Sequence, residues 1–386
     1  TAVEEILATI WQEVLKVDPI GIHDNFFELG GDSILSIQIV TKARQAGLQL
    51  TVNQLFAHQT IAELAAVAGT TKVIQIAQEL VTGKVHLTPI QQRFFELKWV
   101  EPHHFNQSFL FTTPSHFQPE LLSPIWGHLL KHHDALRLRF TQSESGWEQI
   151  HATPNEKIAY SYFDLSSLPE SEISATIENT ANSLQASLNL ASNLVQIAYF
   201  KLGENQLGRL LIVIHHLVVD GVSWRILLED LLTAYQQLSQ NQAIQLPPKT
   251  TSFQDWAQHL KEYARYAYGT LTRTEILKSE LAYWLSKSDS NVSSLPVDYP
   301  AGENTVASAS NISVSLNEAE TQALLQEVPK AYKTQINDVL LTALVLVLSR
   351  WTNSNSVLFN LEGHGREDII EGVDLSRTVG WFTTLF

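Results

Sequence analysis

Two short stretches of this chain carry residue types that could move protons. His215-His216-Leu217-Val218-Val219-Asp220-Gly221 follows the most apolar run of the sequence, Leu210-Leu211-Ile212-Val213-Ile214. That run is short, β-branched and bounded by polar residues, so it predicts a buried strand that delivers two imidazoles and a carboxylate into a turn. A metal site needs about three converging ligands. Consecutive histidines on a strand point to opposite faces, so one imidazole is expected to face a cavity. The simplest chemistry is a general base whose tautomer is held by a neighbour. Ser223 could complete a Ser–His–Asp set by composition, but no nucleophile-elbow pattern accompanies it. A buried histidine pair that only satisfies its own hydrogen bonds is the structural alternative. The second stretch is Glu362-Gly363-His364-Gly365-Arg366-Glu367. Two glycines flank a histidine and carboxylates stand at both ends, a mixture that a turn alone rarely needs. His132-His133 and His103-His104 lack a carboxylate cluster at ligand spacing. They read as surface positions, His132-His133 as a helix end favoured by cationic side chains.

The elements that position these residues follow from periodicity and caps. Ile6, Leu7, Ile10, Val14 and Leu15 predict a helix over 2–17, ended by Asp18-Pro19. Asp32 reads as the N-cap of a helix over 33–46. Thr51…Gln54 and Thr60…Glu63 match capping boxes of two shorter helices. These four helices make a domain of about seventy residues. A linker follows over 69–84, with a short helix expected near 73–80. Thr88-Pro89-Ile90-Gln91 starts a helix through Leu97. Further helices are expected at 121–131, from Trp224 to about Leu238, at 253–268, at 276–285 and, mostly buried, at 337–350. A strand is expected to follow His133 through Phe140. Ile312, Val314 and Leu316 predict a strand by alternation, and 357–361 another. The apolar end at 381–386 reads as a strand interrupted mid-course.

Composition narrows the function classes. The chain has 386 residues, enough for two or three domains, and a net charge of −15 without a long basic run. That argues against nucleic acid or an anionic membrane as the main partner. No run of about 18 apolar residues and no signal peptide is seen. The absence of cysteine excludes disulfides, thiolate nucleophiles and thiolate metal sites. It agrees with a cytoplasmic location. The missing methionine leads us to expect a piece of a longer chain.

Asp24-Asn25-Phe26-Phe27-Glu28-Leu29-Gly30-Gly31-Asp32-Ser33-Ile34 closely resembles the signature of peptidyl carrier domains of nonribosomal peptide synthetases. The resemblance implies that Ser33 carries a 4′-phosphopantetheine arm. By residue type alone, Asp32-Ser33 is a cap at a helix N-terminus, which suits a phosphate. Pro89-Ile90-Gln91-Gln92-Arg93-Phe94-Phe95 resembles the opening of the condensation superfamily, and His215-His216-x-x-x-Asp220-Gly221 resembles its active motif. Val222-Ser223-Trp224 looks like the epimerisation branch of that superfamily. Glu362 to Glu367 matches the distinguishing motif of epimerisation domains letter for letter, and 376–384 resembles their next motif.

The resemblance implies an all-α four-helix carrier domain (1–68), a linker (69–84) and an α/β two-lobed chloramphenicol-acetyltransferase-like epimerisation domain. Its lobes would span 85–250 and 251–386, the second incomplete. The implied activity is isomerase chemistry: inversion of the α-carbon of a carrier-bound aminoacyl or peptidyl thioester, with no cofactor beyond phosphopantetheine and no metal. Inversion needs proton removal on one face and delivery on the other, and His216 and Glu362 are the assigned pair. A one-base route through Glu362 with a relaying water stays open. A carboxylate base requires desolvation to raise its pKa. His215, Asp220, Gly221, Trp224, His364 and Arg137 are assigned to support: Asp220 as the partner of Arg137, Gly221 as the residue that lets the backbone turn tightly. Implied partners are an upstream adenylation domain, a downstream condensation domain and a phosphopantetheinyl transferase. The rivals are an amide-forming condensation domain, a silent carrier-docking module and a free-standing acyltransferase.

Overall fold

The computed structural model describes residues 1–70, 76–144, 146–154, 159–266, 280–286, 294–302, 304–367 and 369–386. The chain opens with α1 (Ala2–Leu15), α2 (Ser33–Gln45), β1 (Leu48–Gln49), α3 (Val52–Ala57), α4 (Ile61–Val67) and β2 (Gly69–Thr70). The Thr1 hydroxyl and Glu4 carboxylate close a capping box on α1, and Thr51 with Gln54 does so on α3. Thr60 caps α4 through Glu63 N–H alone. The apolar stripe of α1 buries Leu7, Ile10 and Trp11 with Phe26, Ile39, Leu50, Leu55 and Leu64 in one small core. The linker helix expected near 73–80 is not formed over 76–80, and 71–75 lie outside the described residues.

The second unit begins with β3 (Gly83–Val85), α5 (Pro89–Glu96), β4 (Asn106–Thr113), α6 (Leu122–His132), β5 (Leu138–Ser143), β6 (Gly146–His151), β7 (Ser161–Asp164) and α7 (Glu170–Ala186). It continues with β8 (Val195–Lys201), β9 (Gly208–His215), α8 (Gly221–Ser239) and α9 (Phe253–Tyr266). Two sheets result, ordered β3-β6-β5 and β4-β9-β8-β7. Strand β9 is continuously apolar because both its faces are covered. Leu210, Ile212 and Ile214 enter the main core, whereas Leu211 and Val213 enter a second cluster with Ile177 of α7. The main core also takes Phe253 and Trp256 from α9 and Leu375, Val379, Trp381 and Phe382 from the end of the chain. The segments expected as separate lobes therefore share one core.

Several expectations past residue 250 need correction. Residues 310–316 form no strand, and Ile312 and Val314 are 93% and 92% exposed. Residues 357–361 form none either; strand structure begins at β10 (Glu362–Gly363), paired with β11 (Thr384–Leu385). Alternating apolar residues become a strand only where another strand takes their N–H and C=O groups, and among the described residues none pairs with 310–316. The helix expected to be mostly buried runs over Ile336–Thr352, but none of its residues is buried. Residues 280–286 are helical; 267–268 and 276–279 lie outside the described residues. Among the described residues no single helix is long and apolar enough to cross a membrane.

Carrier and second unit touch through α2. Ile37 is buried in the main core, and Arg44 pairs with Asp374 at 3.1 Å. The pair is partly solvated, so a coupling of about 1 kcal/mol is expected. A double-mutant cycle of Arg44→Ala and Asp374→Ala in urea unfolding measures it; a coupling near zero would mean that this ion pair does not help to hold the carrier here.

Candidate active site

Strand β9 ends at His215, and a single 3-10 turn over His216–Val218 separates it from α8. The two imidazoles diverge as the strand geometry demands. His215 is fully buried, and its Nε2–H donates to the Pro102 carbonyl at 2.8 Å while Nδ1 accepts from Leu217 N–H. Burial lowers its pKa to about 4, so it stays neutral. His216 is only half-buried. Its ring stacks on Phe105 at 5.1 Å and meets Trp381 at 4.7 Å. Nδ1 lies 2.8 Å from the Val219 carbonyl oxygen, and Nε2 lies 3.1 Å from the amide nitrogen of Gln107. The Gln107 amide oxygen accepts from the Trp224 indole N–H at 2.8 Å. Buried Gln91 donates to the Leu217 carbonyl at 3.1 Å and so braces the turn from α5.

Asp220 caps α8, accepting from Ser223 N–H at 2.7 Å. Its expected partner, Arg137, is elsewhere: that guanidinium donates to the carbonyls of Leu130, Ala152 and Val81 at 2.7 to 2.8 Å. The partner of Asp220 is Arg366, at 3.2 and 3.3 Å. The family resemblance implied Arg137, but the pairing of β10 with β11 brings a different arginine to the carboxylate. Arg366 also donates to the Leu375 and Thr378 carbonyls at 2.8 and 2.7 Å, and it lies 3.9 Å over the Phe382 ring. Burial pulls its pKa below the usual arginine range and Asp220 opposes that pull; the group remains a cation. Ser223 Oγ donates to the Gly380 carbonyl and accepts from Gly380 N–H, so it is a brace rather than a nucleophile.

Gly221 differs from expectation. It is the first residue of α8, it has no positive φ, and a Cβ there would meet nothing within 4 Å. The tight glycine is Gly365, whose φ is +67° and whose added Cβ would fall 1.7 Å from the Phe382 carbonyl oxygen. His364 Nδ1 accepts from Arg366 N–H at 3.0 Å. Glu362 sits at the start of β10 and is exposed, so the desolvation required of a carboxylate base is absent here. His133 is also corrected: rather than ending a helix at the surface, it is buried against Asp230 at 2.9 Å. Burial pushes Asp230 up, but His133 and Arg377 outweigh it and hold the carboxyl below its usual range. His132, His133 and Asp230 offer ligand atoms within 4.8 Å of one another. Arg377 already donates to Asp230, so a fixed cation stands where a metal would bind.

Ser33 begins α2, and Asp32 accepts from Leu35 N–H at 2.7 Å, which leaves the serine in the first turn of a 13-residue helix. The partial positive charge of a helix N-terminus suits a phosphodiester. Sequence reasoning missed Gln107, Phe105 and Gln91 as parts of the site. Arg366 and Trp381 lie within its motifs but had no role there. A hydrogen-bond partner on a neighbouring strand has no local signature.

A condensation domain family model matches residues 81–386, and a phosphopantetheine attachment site model matches 5–68. The chain belongs to the condensation-domain family. Its phosphopantetheine attachment domain precedes that domain, an arrangement shared with nonribosomal peptide synthetases. One of the linear gramicidin synthase proteins of Brevibacillus parabrevis is 52% identical over 388 residues, covering 100% of this chain and 8% of that protein. Tyrocidine synthase 1 of Brevibacillus parabrevis is 41% identical over 389 residues, covering 100% of this chain and 35% of that protein. This condensation-family chain thus spans a small part of its curated relatives. Among solved structures, the epimerization domain from the third module of tyrocidine synthetase B matches with a TM-score of 0.72 and 38% identity over 81% of this chain and 68% of that one. The first condensation domain of the calcium-dependent antibiotic synthetase shares the fold, with a TM-score of 0.59 and 18% identity over 78% of this chain and 68% of that one.

Two substitutions test this geometry. Asp220→Ala strands the buried Arg366 cation, removes the α8 cap and frees Phe382 N–H. Breaking such a pair costs about 3–5 kcal/mol, to be read as a lower urea midpoint; a loss under about 1 kcal/mol would show that the pair does not hold the site. For His215 the folded pKa lies below the unfolded value of 6.5, so the unfolded state binds the extra proton. Stability is therefore fully present above about pH 6.5 and is lost as pH falls toward 4, by an amount on the order of a few kcal/mol. His215→Gln should flatten that part of the stability–pH curve, and an unchanged slope would assign it to other groups.

Proposed function

We propose that the second unit inverts the α-carbon of an aminoacyl or peptidyl thioester carried on Ser33, as a step of nonribosomal peptide synthesis. The observation that carries this reading is Glu362-Gly363-His364-Gly365-Arg366-Glu367 locked by Arg366 onto Asp220, the carboxylate of the His-His stretch. The 38% identity to an epimerization domain supports it. The arm would present its substrate as a thioester, whose carbonyl acidifies the α-hydrogen. His216, whose ring stacks on Phe105 and meets Trp381, is the candidate proton-transfer group, and Glu362 is the candidate second group. His215, Trp224, Asp220, Arg366 and His364 support the loop that holds them. The division into 1–68, 69–84, 85–250 and 251–386 belongs to the same reading. So do the adenylation and condensation partners, the phosphopantetheinyl transferase and the cytoplasmic location.

One observation favours a second reading. Glu362 is exposed, and an amide-forming condensation domain would use His216 without it.

Ser33→Ala should abolish the mass increase on incubation with a phosphopantetheinyl transferase and coenzyme A. Attachment elsewhere would remove Ser33 from the site. For the chemistry, Ser33 is loaded with an α-deuterated L-aminoacyl arm, and deuterium loss and the D/L ratio are followed. Deuterium loss with a rising D fraction is expected, falling about 10²-fold or more in Glu362→Gln and His216→Ala, the range of acid–base contributions. No washout from the parent chain with several amino acids would sink the epimerase reading. Washout that survives Glu362→Gln would remove only that residue.

A further inference from the structure

We infer that Gln107 is a positioning residue that fixes the tautomer of His216, leaving Nε2 as the proton acceptor of the resting site. The donors and acceptors admit one arrangement. An indole N–H can only donate. The terminal atom of Gln107 that lies 2.8 Å from Trp224 Nε1 is therefore the amide oxygen. The other terminal atom, 3.1 Å from His216 Nε2, is the NH2 group, which can only give a proton. Nε2 must then present its lone pair. At the far end of the ring, Nδ1 lies 2.8 Å from the Val219 carbonyl oxygen, which can only accept. Nδ1 must carry the hydrogen. The two ends of the ring agree on one tautomer: Gln107 offers no acceptor at Nε2 that could compete with the Val219 carbonyl for the ring hydrogen, and the assignment rests on the network rather than on seen hydrogens.

The surroundings make the arrangement hard to reverse. Gln107 is held in β4 opposite Ile214, two residues before His216. Trp224 is 3% exposed. Rotating the amide would turn NH2 toward the indole N–H and strand a buried donor, which is costly. The titratable and charged groups on the elements packed around the ring are His215, His103 and His104 of the turn before β4, Asp220 at the α8 cap and Arg366. His215 is kept neutral by burial. His103 Nδ1 accepts from Leu190 N–H at 3.1 Å. Asp220 and Arg366 neutralise each other. Hydrogen bonds, not a net charge, select the tautomer.

The consequence rests on the epimerase reading above. His216 takes the α-proton at Nε2, and the electron pair of the broken C–H bond passes into the thioester carbonyl. The proton delivered to the opposite face comes from a different group that starts protonated. Afterwards His216 returns its proton to solvent and that group regains one from solvent. For the α-proton to reach Nε2, the Gln107 amide must give up its contact there.

The test uses the full chain with its carrier, 15N-labelled at histidine and without substrate. Two-bond 1H–15N correlations distinguish Nδ1–H from Nε2–H rings, and His216→Gln assigns the signal. The expected parent pattern is Nδ1–H with a bare Nε2. Gln107→Glu replaces the amide with a carboxylate that accepts from both Trp224 and His216, so a proton appears on Nε2. An Nε2–H pattern in the parent, or an unchanged pattern in a folded Gln107→Glu chain, overturns the proposal. Should Gln107→Glu fail to fold, Trp224→Phe decides: without the indole donor the amide can turn its oxygen to Nε2 and compete with the Val219 carbonyl for the ring hydrogen, so an Nε2–H fraction is expected, and an unchanged pattern overturns the proposal. A purely structural Gln107 would move the melting temperature but not the ring signature. The spectra need no turnover. A parent chain with the Nδ1–H pattern but no deuterium washout would sink the epimerase reading and leave this inference standing. Where washout occurs, Gln107→Glu should slow it at least about tenfold, short of the roughly 10²- to 10⁴-fold that loss of an acid–base group costs.

Discussion

The buried pair of Asp220 and Arg366 is the interaction on which the site depends. Two charges are taken out of water, which is costly unless every remaining donor and acceptor is used. Here most are. Asp220 accepts from Arg366, Ser223 N–H and Phe382 N–H, and Arg366 also reaches two backbone carbonyls and the Ser223 hydroxyl. The pair joins the first helical turn of α8 to a hairpin 146 residues later in the chain. It thereby determines where Trp381 meets the His216 ring.

Around that pair the site divides into a rigid half and an open half. The rigid half comprises β9, its 3-10 turn and α8. Gln91 braces this half from α5 and Gln107 from β4. Aromatic faces on two sides and hydrogen bonds at both ring nitrogens leave His216 little freedom, which is what a proton acceptor needs if its geometry is to be set before substrate arrives. The open half is the stretch around Glu362. Its backbone is tied to β11, and its carboxylate remains in water.

The carrier's position has a similar logic. From α2, the Arg44–Asp374 pair, a long Thr41 hydrogen bond to the Ser376 carbonyl and buried Ile37 connect it to the second unit, near the loop that also carries Arg377 and Trp381. Covalent linkage keeps the carrier at high local concentration, so a weak contact suffices and release is not impeded.

Elements with local signals were legible in the amino-acid order. Periodicity placed α1, capping residues placed α3 and α5, the apolar run placed β9, and the His-His and Gly-His-Gly stretches marked two segments that Asp220 and Arg366 join. The start of α2 at Ser33 was legible because an N-cap signal stands at Asp32. Failures occurred where a partner far along the chain decides. Arg137 and Arg366 are equally cationic on paper, and only the hairpin of β10 and β11 selects the second for Asp220. Gln107 carries no chemical signature until β4 pairs with β9 and turns its amide toward His216. His133 looked like a surface charge because nothing local announces Asp230. Alternation at 312–316 predicted a strand that lacks a pairing neighbour among the described residues. Periodicity and capping are written within a few residues, whereas ion-pair partners, tautomers and sheet neighbours depend on contacts between distant segments, which arise only when the chain is folded.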